Sequence, residues 1–206
     1  MKVILINGSP HEFGCTYTAL AELERALREE GVETEMIHIG KEPVGGCLGC
    51  GYCYAKGKCV QQDKLNDVLE KVLAADGLVL GSPVHYAAIA GQASSFFDRL
   101  FFASGGRFAN KLGTGVVSCR RGGASAAFDE LNKYFTVSNM PVVSGTYWNQ
   151  VHGNTPNEVK QDLEGMQNMR ALGRNMAWLL KCIEQGKAAG IALPKQEEKI
   201  MTNFVR

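Results

Sequence analysis

The sequence predicts a doubly wound α/β fold, with five short parallel strands ordered 2-1-3-4-5 and helices on both faces of the sheet. Three observations carry this expectation. Short apolar runs alternate with helix-period patterns along the whole chain. The first run, Val3-Ile4-Leu5-Ile6, is apolar at consecutive positions, as a strand covered on both faces requires. The turns after the first and third strands are rich in Gly, Ser and Pro, where such sheets gather their binding loops.

The elements follow in order. Leu20, Leu23 and Leu27 share one face of the helix after strand 1, and Gly31 supplies its stop. Thr34 to Ile39 reads as strand 2. Asp63 can cap the next helix, whose apolar stripe is Leu65, Val68, Leu69, Val72 and Leu73. Gly77 to Ser82 is strand 3, and Gly91 to Ala103 the helix that follows. Gly113 to Cys119 is strand 4, with Phe128, Leu131 and Phe135 marking the helix behind it. Pro141 to Tyr147 is the fifth strand. Thr155-Pro156-Asn157-Glu158 has the form of a capping box and opens one last long helix, expected to reach about Gln185. The domain therefore spans 1-186, with a cysteine-rich insertion at 43-60 and a polar tail over 187-206.

Composition sets outer limits. A chain of 206 residues with 45% hydrophobic and 21% charged content suits one soluble domain with a substantial core. A net charge of +1 gives no electrostatic footprint for nucleic acid or an anionic membrane. The N-terminal apolar run is too short for a signal peptide before Gly8 and Pro10 interrupt it, and no stretch approaches the ~20 apolar residues of a membrane span. Seven cysteines, an odd number without an export signal, point to the reducing cytoplasm rather than to a disulfide framework.

The loop after strand 1 runs Asn7-Gly8-Ser9-Pro10-His11-Glu12-Phe13-Gly14-Cys15-Thr16-Tyr17-Thr18 straight into a helix. Such a turn presents free N–H groups and a positive dipole end to an anion, with Ser9, Thr16 and Thr18 as further O–H donors. It has no Walker A lysine and no G-x-G-x-x-G; Gly113-x-Gly115 lies within a strand and has Ser118 where a third Gly would fall. Taken alone the loop is either a neutral phosphate cradle or an ordinary capped turn. A second loop, Gly81-Ser82-Pro83-Val84-His85-Tyr86, follows strand 3 and leads into Phe96-Phe97-Asp98-Arg99. Both loops meet at the switch point between strands 1 and 3, where open α/β sheets bind ligands.

Four cysteines, Cys47, Cys50, Cys53 and Cys59, stand at C-x2-C-x2-C-x5-C spacing among Gly45, Gly46, Gly49 and Gly51. Cysteines at x2 spacing wrap iron–sulfur clusters, whereas structural zinc more often takes two C-x2-C pairs about 12–20 residues apart. Three readings stand: a [4Fe–4S] cluster, structural zinc, or a cysteine-rich loop without metal. The segment leaves the end of strand 2, on the same rim as the two loops. Cys15, Cys119 and Cys182 read as small hydrophobes, and His38 and His152 as structural histidines without metal spacing.

At GSPHEFGCT, the cysteine run, ADGLVLGSPVHY and FFDR the chain resembles the flavodoxin-like NAD(P)H-dependent FMN reductase family, and within it the iron–sulfur flavoproteins, over about the first hundred residues. The resemblance implies FMN, with Ser9, His11, Gly14, Cys15, Thr16 and Thr18 around its phosphate. Pro83, Val84, His85 and Tyr86 would line the isoalloxazine, and the loop of Ser118, Arg120, Arg121, Gly122 and Gly123 would close over it. His85 stands where the family often has Tyr, and His11 replaces a common Arg. Arg120 and Arg121 read either as attracting an anionic nicotinamide or acceptor, or as a solvated pair. A phospho-acceptor domain of the same fold is excluded, because it needs acidic residues where Asn7-Gly8-Ser9 and Gly81-Ser82-Pro83 stand.

The resulting expectation is an FMN-dependent oxidoreductase whose chemistry is centred on the flavin, with no obligatory acid–base side chain. Electrons would come from NAD(P)H or from ferredoxin and go to a small acceptor, singly through a [4Fe–4S] cluster on the four cysteines. The rival expectations are a pure electron carrier reduced by ferredoxin and a zinc-stabilised binding module without flavin. The apolar residues Phe96, Phe97, Leu100, Phe101 and Phe102 cover more of a helix than one buried face needs. They imply a homodimer or homotetramer.

Overall fold

The computed structural model describes residues 1–198 and 200–202. Strand β1 (Lys2–Asn7) lies between β2 (Glu33–His38) and β3 (Gly77–His85), followed by β5 (Leu112–Cys119) and β6 (Gln150–His152). These five are parallel, in the order the sequence predicts. A two-residue strand, β4 (Ala88–Ile89), turns back antiparallel onto the end of β3. The helices are α1 (Cys15–Glu29), α2 (Tyr52–Lys56), α3 (Leu65–Ala74), α4 (Gly91–Ser104), α5 (Ala124–Val137), α6 (Pro156–Gln161) and α7 (Leu163–Ala188).

The period of two along β1 sorts its side chains between two cores. Ile4 and Ile6 pack with α3, α4 and α5 on one face, while Val3 and Leu5 pack with α1 and α7 on the other. Each such fully buried aliphatic contributes about 1.5–3 kcal/mol. The glycines of β5 have a packing reason. A Cβ at Gly115 would lie 2.8 Å from Leu131 Cβ, and one at Gly113 would strike the Phe135 ring. Helix α5 thus lies directly on the strand backbone.

Several local expectations are corrected. Residues 141–147 do not form the fifth strand; only Val142 bridges Gly113, and the paired strand is β6. The cause is Asn168, buried on α7. Its Oδ1 accepts N–H from Thr146 and Tyr147, and its Nδ2 donates to the carbonyls of Tyr147 and Trp148. A side chain thereby does for this loop what a neighbouring strand would have done. The last helix is two helices, because Asp162 leaves helical geometry and caps α7, accepting from Gly165 N–H at 2.9 Å and from His152 N–H at 2.7 Å. The Thr155 cap of α6 is present. Asp63 is not the cap of α3, which begins after Lys64; its carboxylate accepts from Leu65 N–H but is held chiefly by Arg99. Cys182 is exposed rather than packed, whereas Cys119 is buried. The tail expected over 187–206 begins inside α7, and the part of it at 199 and 203–206 lies outside the described residues.

Helices α1 and α7 are tied by Glu22, which accepts from Arg170 Nη1 at 2.6 Å and from Arg25 Nη2 at 2.8 Å. Burial pushes the Glu22 carboxyl up, but the two arginines outweigh it and leave it below the usual carboxylate range. A depressed folded-state value stabilises above the unfolded value and is lost as pH falls through the folded one. Glu22→Gln is therefore expected to cost about 1 kcal/mol in urea unfolding at pH 7. The difference from the parent protein should shrink steadily below about pH 4.

Candidate functional site

The three loops singled out in the sequence meet at the C-terminal rim of the sheet. Gly8 N–H donates to Gly81 O at 2.8 Å, joining the loop after β1 to β3. A Cβ at Gly8 would lie 2.8 Å from both Gly81 O and Ala93 Cβ, so only glycine permits this approach. Fully buried Asn7 organises the turn: its Oδ1 accepts from Ser9 N–H and its Nδ2 donates to Glu12 O. Ser9 Oγ accepts from His11 N–H, and the His38 ring lies 2.8 Å from Ser9 O. His38 is thus a structural histidine that braces the loop from β2.

Helix α1 starts at this loop without a side-chain cap, and its first helical bond runs from Thr18 N–H to Gly14 O. Among the described residues the N–H groups of Thr16 and Tyr17 have no acceptor. The hydroxyls are spoken for within the protein. Thr16 Oγ1 and Ser118 Oγ lie 2.9 Å apart, and Thr18 Oγ1 donates to Gly14 O at 3.0 Å. Ser9, Thr16, Thr18 and Ser118 are all buried. Cys15 is half-buried with its thiol directed at Gly153 O, and burial pushes its pKa up. His11 and Gly14 line an open groove with Lys41, Asn154 and Thr155.

At the corner of β3 and β4 two consecutive non-glycine residues, Tyr86 (φ 50°) and Ala87 (φ 62°), occupy the left-handed region. Such strain persists only where surrounding structure enforces it. Here Ser82 Oγ accepts from Ala90 N–H and the Glu130 carboxylate from Ile89 N–H. Gly123 (φ 90°) packs so closely that a Cβ on it would lie 2.8 Å from Ala87 Cα. The 118–123 loop therefore rests, at Gly123, on Val84 and Ala87 of this corner. Tyr86 is fully exposed, and Arg120, Arg121 and His85 are exposed on the surface of the rim.

The cysteine segment leaves the rim after β2 but does not stay there. Gln92 Nε2, on the first turn of α4, donates to Gly40 O and Glu42 O; Arg99 Nη1 donates to Gly45 O; Arg107 Nη2 donates to Gly57 O. Those three side chains strap the segment down the flank of α4. From Gln92 to Arg99 is about 10 Å along a helix axis. Cys47, Cys50, Cys53 and Cys59 line one cleft there, together with Arg99, Phe102 and Ala103. Gly49 and Gly51 take positive φ, and Gly51 and Gly57 bracket the short helix α2 that carries Cys53. Among the described residues no three His, Cys, Asp or Glu side chains are grouped as ligands for one metal ion.

Two residues that hold the cysteine segment carry no role in the sequence reading. Asn66 brackets Cys59, accepting its N–H at 2.9 Å and donating to its carbonyl at 3.1 Å. Arg99 is buried beneath the segment and forms a two-point ion pair with Asp63, at 2.7 and 2.9 Å. Burial raises the Asp63 carboxyl, but the Arg99 and Leu65 hydrogen bonds outweigh it and hold it below the usual range. The one sequence signal was an arginine at an apolar-face position of α4, between Phe96 and Leu100.

Residues 1–155 match the model of the NADPH-dependent FMN reductase family. An iron-sulfur flavoprotein of Methanocaldococcus jannaschii is 33% identical over 193 residues, covering 90% of this chain and 100% of its own. An iron-sulfur flavoprotein of Methanosarcina thermophila is 30% identical over 192 residues, covering 91% and 99%. Among solved structures, RosB with a bound 8-demethyl-8-formylriboflavin-5'-phosphate intermediate superposes with a TM-score of 0.69 at 16% identity, over 99% of this chain and 92% of that one. A flavodoxin from the domain Archaea gives 0.61 at 16% identity, over 88% and 99%. The fold is flavodoxin-like, and the family match makes the chain a flavin-dependent oxidoreductase. The chain belongs to the NADPH-dependent FMN reductase family and, within it, to the iron–sulfur flavoproteins.

Proposed function

We propose that this protein takes electrons from NAD(P)H or from a reduced carrier such as ferredoxin and delivers them to a small acceptor, with a [4Fe–4S] cluster on Cys47, Cys50, Cys53 and Cys59 as a one-electron outlet. The observation that carries the proposal is the single cleft lined by all four cysteines. A zinc ion needs four sulfurs about 2.3 Å from one point. A four-iron cube instead takes one thiolate at each corner, which suits cysteines spread around a volume.

FMN, when bound, supplies hydride chemistry and the conversion between two-electron and one-electron transfer. The chain's own part is to hold and exclude. The free Thr16 and Tyr17 N–H groups, at the positive end of α1, suit a phosphate, while Ser9, Thr16 and Thr18 shape the backbone around it. The rigid corner at Pro83 to Tyr86 and the 118–123 loop packed on it form the slot for the ring. Arg120 and Arg121 sit exposed beside that slot, ready to attract an anionic donor. Tyr86 is assigned to stacking on the ring or its nicotinamide partner. Tyr86→Ala is expected to weaken FMN binding about tenfold, read by quenching of flavin fluorescence; unchanged affinity removes Tyr86 from the slot.

A second reading, an electron carrier reduced by ferredoxin without a nicotinamide reaction, is favoured by one feature. The cysteine cleft is rimmed by exposed Leu48, Tyr54 and Phe102, an apolar surface of the kind on which proteins dock. The same surface is where a homodimer or homotetramer would form. Anaerobic purification followed by a visible spectrum, with iron and acid-labile sulfide analysis, tests the cofactors. Flavin bands without stoichiometric iron overturn the cluster and leave FMN in place. Steady-state turnover of NADH and NADPH with quinone or ferricyanide tests the donor, and no turnover with either leaves the carrier reading.

A further inference from the structure

We propose that Arg99 is a positioning residue that sets the reduction potential at the cysteine cleft by directing two N–H groups at the sulfur of Cys59. The inference rests on the cluster reading above and adds to it a residue that is not a ligand.

The guanidinium has five N–H hydrogens, and each has an acceptor. Nε donates to Cys59 Sγ at 3.4 Å, and Nη2 donates to the same sulfur at 3.4 Å. Nη2 also donates to Asp63 Oδ1 at 2.9 Å, while Nη1 donates to Asp63 Oδ2 at 2.7 Å and to Gly45 O at 3.2 Å. A fully satisfied guanidinium with 1% of its side chain exposed cannot turn without breaking several of these bonds. Asp63 occupies one edge of the fork and Cys59 the adjacent edge. The ion pair is neutral as a whole, yet it points its positive side at the sulfur.

An ion pair alone would not require this arrangement. The Asp63 carboxylate uses only two of the five hydrogens, so the Nε edge was free to face any polar group or a backbone carbonyl. It faces a thiol. Cys59 is also fixed at both backbone groups by Asn66, so its sulfur stands at a defined place relative to Arg99. Cys47 and Cys50 are exposed, and among the described residues neither they nor Cys53 have a donor at sulfur. One corner of the site is therefore built differently from the other three.

The consequence follows from charge. One electron entering a four-thiolate, four-iron site makes it more negative by one unit, with no bond made or broken; reduced flavin or the ferredoxin-class carrier supplies that electron. Hydrogen bonds to a ligand sulfur stabilise the more negative state, and so raise the potential. Removing the Arg99 donors lowers it. Removing the Asp63 charge leaves the guanidinium less compensated and moves the potential the other way.

The test uses the full-length protein, reconstituted with iron and sulfide. Spectroscopic redox titration follows the cluster, and FMN bands in the same titration serve as an internal reference. Arg99→Gln is expected to lower the cluster's one-electron reduction equilibrium about tenfold, which is about 59 mV, with the FMN potential unmoved. Arg99→Lys should recover part of the loss, and Asp63→Asn should shift the potential upward. Opposite signs at Arg99 and Asp63 are not produced by a merely structural pair. Iron-loaded Arg99→Gln with the parent potential overturns the inference, and so does loss of iron from both Arg99 variants in protein with normal far-UV circular dichroism. In case the variants do not fold, parent protein carrying ¹⁵N-arginine is reduced and its electron spin echo spectrum recorded. An arginine ¹⁵N coupling to the cluster supports the contact, and its absence overturns it. Parent protein that takes up no iron overturns the cluster reading and this inference together.

Discussion

Alanine at Cys50 is expected to abolish iron and acid-labile sulfide while leaving one FMN per chain. Cys50 is exposed, and among the described residues its thiol has no hydrogen-bond partner. Its removal should therefore cost the fold no more than about 0.5 kcal/mol. Everything it contributes is expected to go to the metal site, where loss of one of four thiolates opens the cluster to solvent. The rim loops assigned to the flavin in the proposal lie about 10 Å along α4 from the Arg99 strap. Cys119→Ala is the matching control. Its thiol is buried at the end of β5, and burial pushes its pKa up. Iron content should be untouched by that change, while stability falls by about 1 kcal/mol. Iron analysis and flavin absorbance on the same samples decide the matter. Retained iron in Cys50→Ala removes Cys50 from the ligand set.

Asn168→Leu is expected to lower the stability of the FMN-free protein by about 3 kcal/mol, a drop of about 10 °C in Tm for a chain of this length. Four backbone groups of residues 146–148 bond to this one side chain, and of these the Trp148 carbonyl also accepts from Gln150 N–H. Asn168 is 2% exposed, so water does not readily replace it. Leucine is near in size to asparagine but offers no polar atom, which leaves the Thr146 and Tyr147 N–H groups and the Tyr147 carbonyl without this partner. The loop leads directly into β6 at Gln150, so the rim next to the 118–123 loop should loosen as well, visible as faster amide exchange at Val117 and Cys119. A Tm within about 2 °C of the parent would show that the loop's polar groups are met by solvent.

These two residues mark what sequence reasoning can single out and where it stops. Cys50 stands out because its signal is local, a spacing of thiols and glycines within thirteen residues. Asn168 does not, because its partners are about twenty residues away and a lone Asn in an amphipathic helix carries no mark of them. The same divide explains the fifth strand. Pro141 to Tyr147 has strand composition, but its neighbour in space is a side chain of α7 rather than a complete strand edge. Asp162 looked like one more polar residue in a long helix; its role as a cap depends on His152 N–H arriving from β6.

Legible from the residues alone are the parallel sheet and its order, the two rim loops, the Gly- and hydroxyl-rich turn without a lysine, and the cysteine run. All of these are periodicities or short motifs, set by the backbone geometry of neighbouring residues. Only the tertiary structure decided that the cysteine run is carried off the rim and down the side of α4, strapped by Gln92, Arg99 and Arg107. It also decided that Cys59 faces a buried, fully bonded arginine. Contacts of this kind join residues 40 to 54 positions apart. They exist only once the helix and the loop have been packed together, because burial is what makes an unpaired guanidinium too costly and forces each of its hydrogens to find a partner.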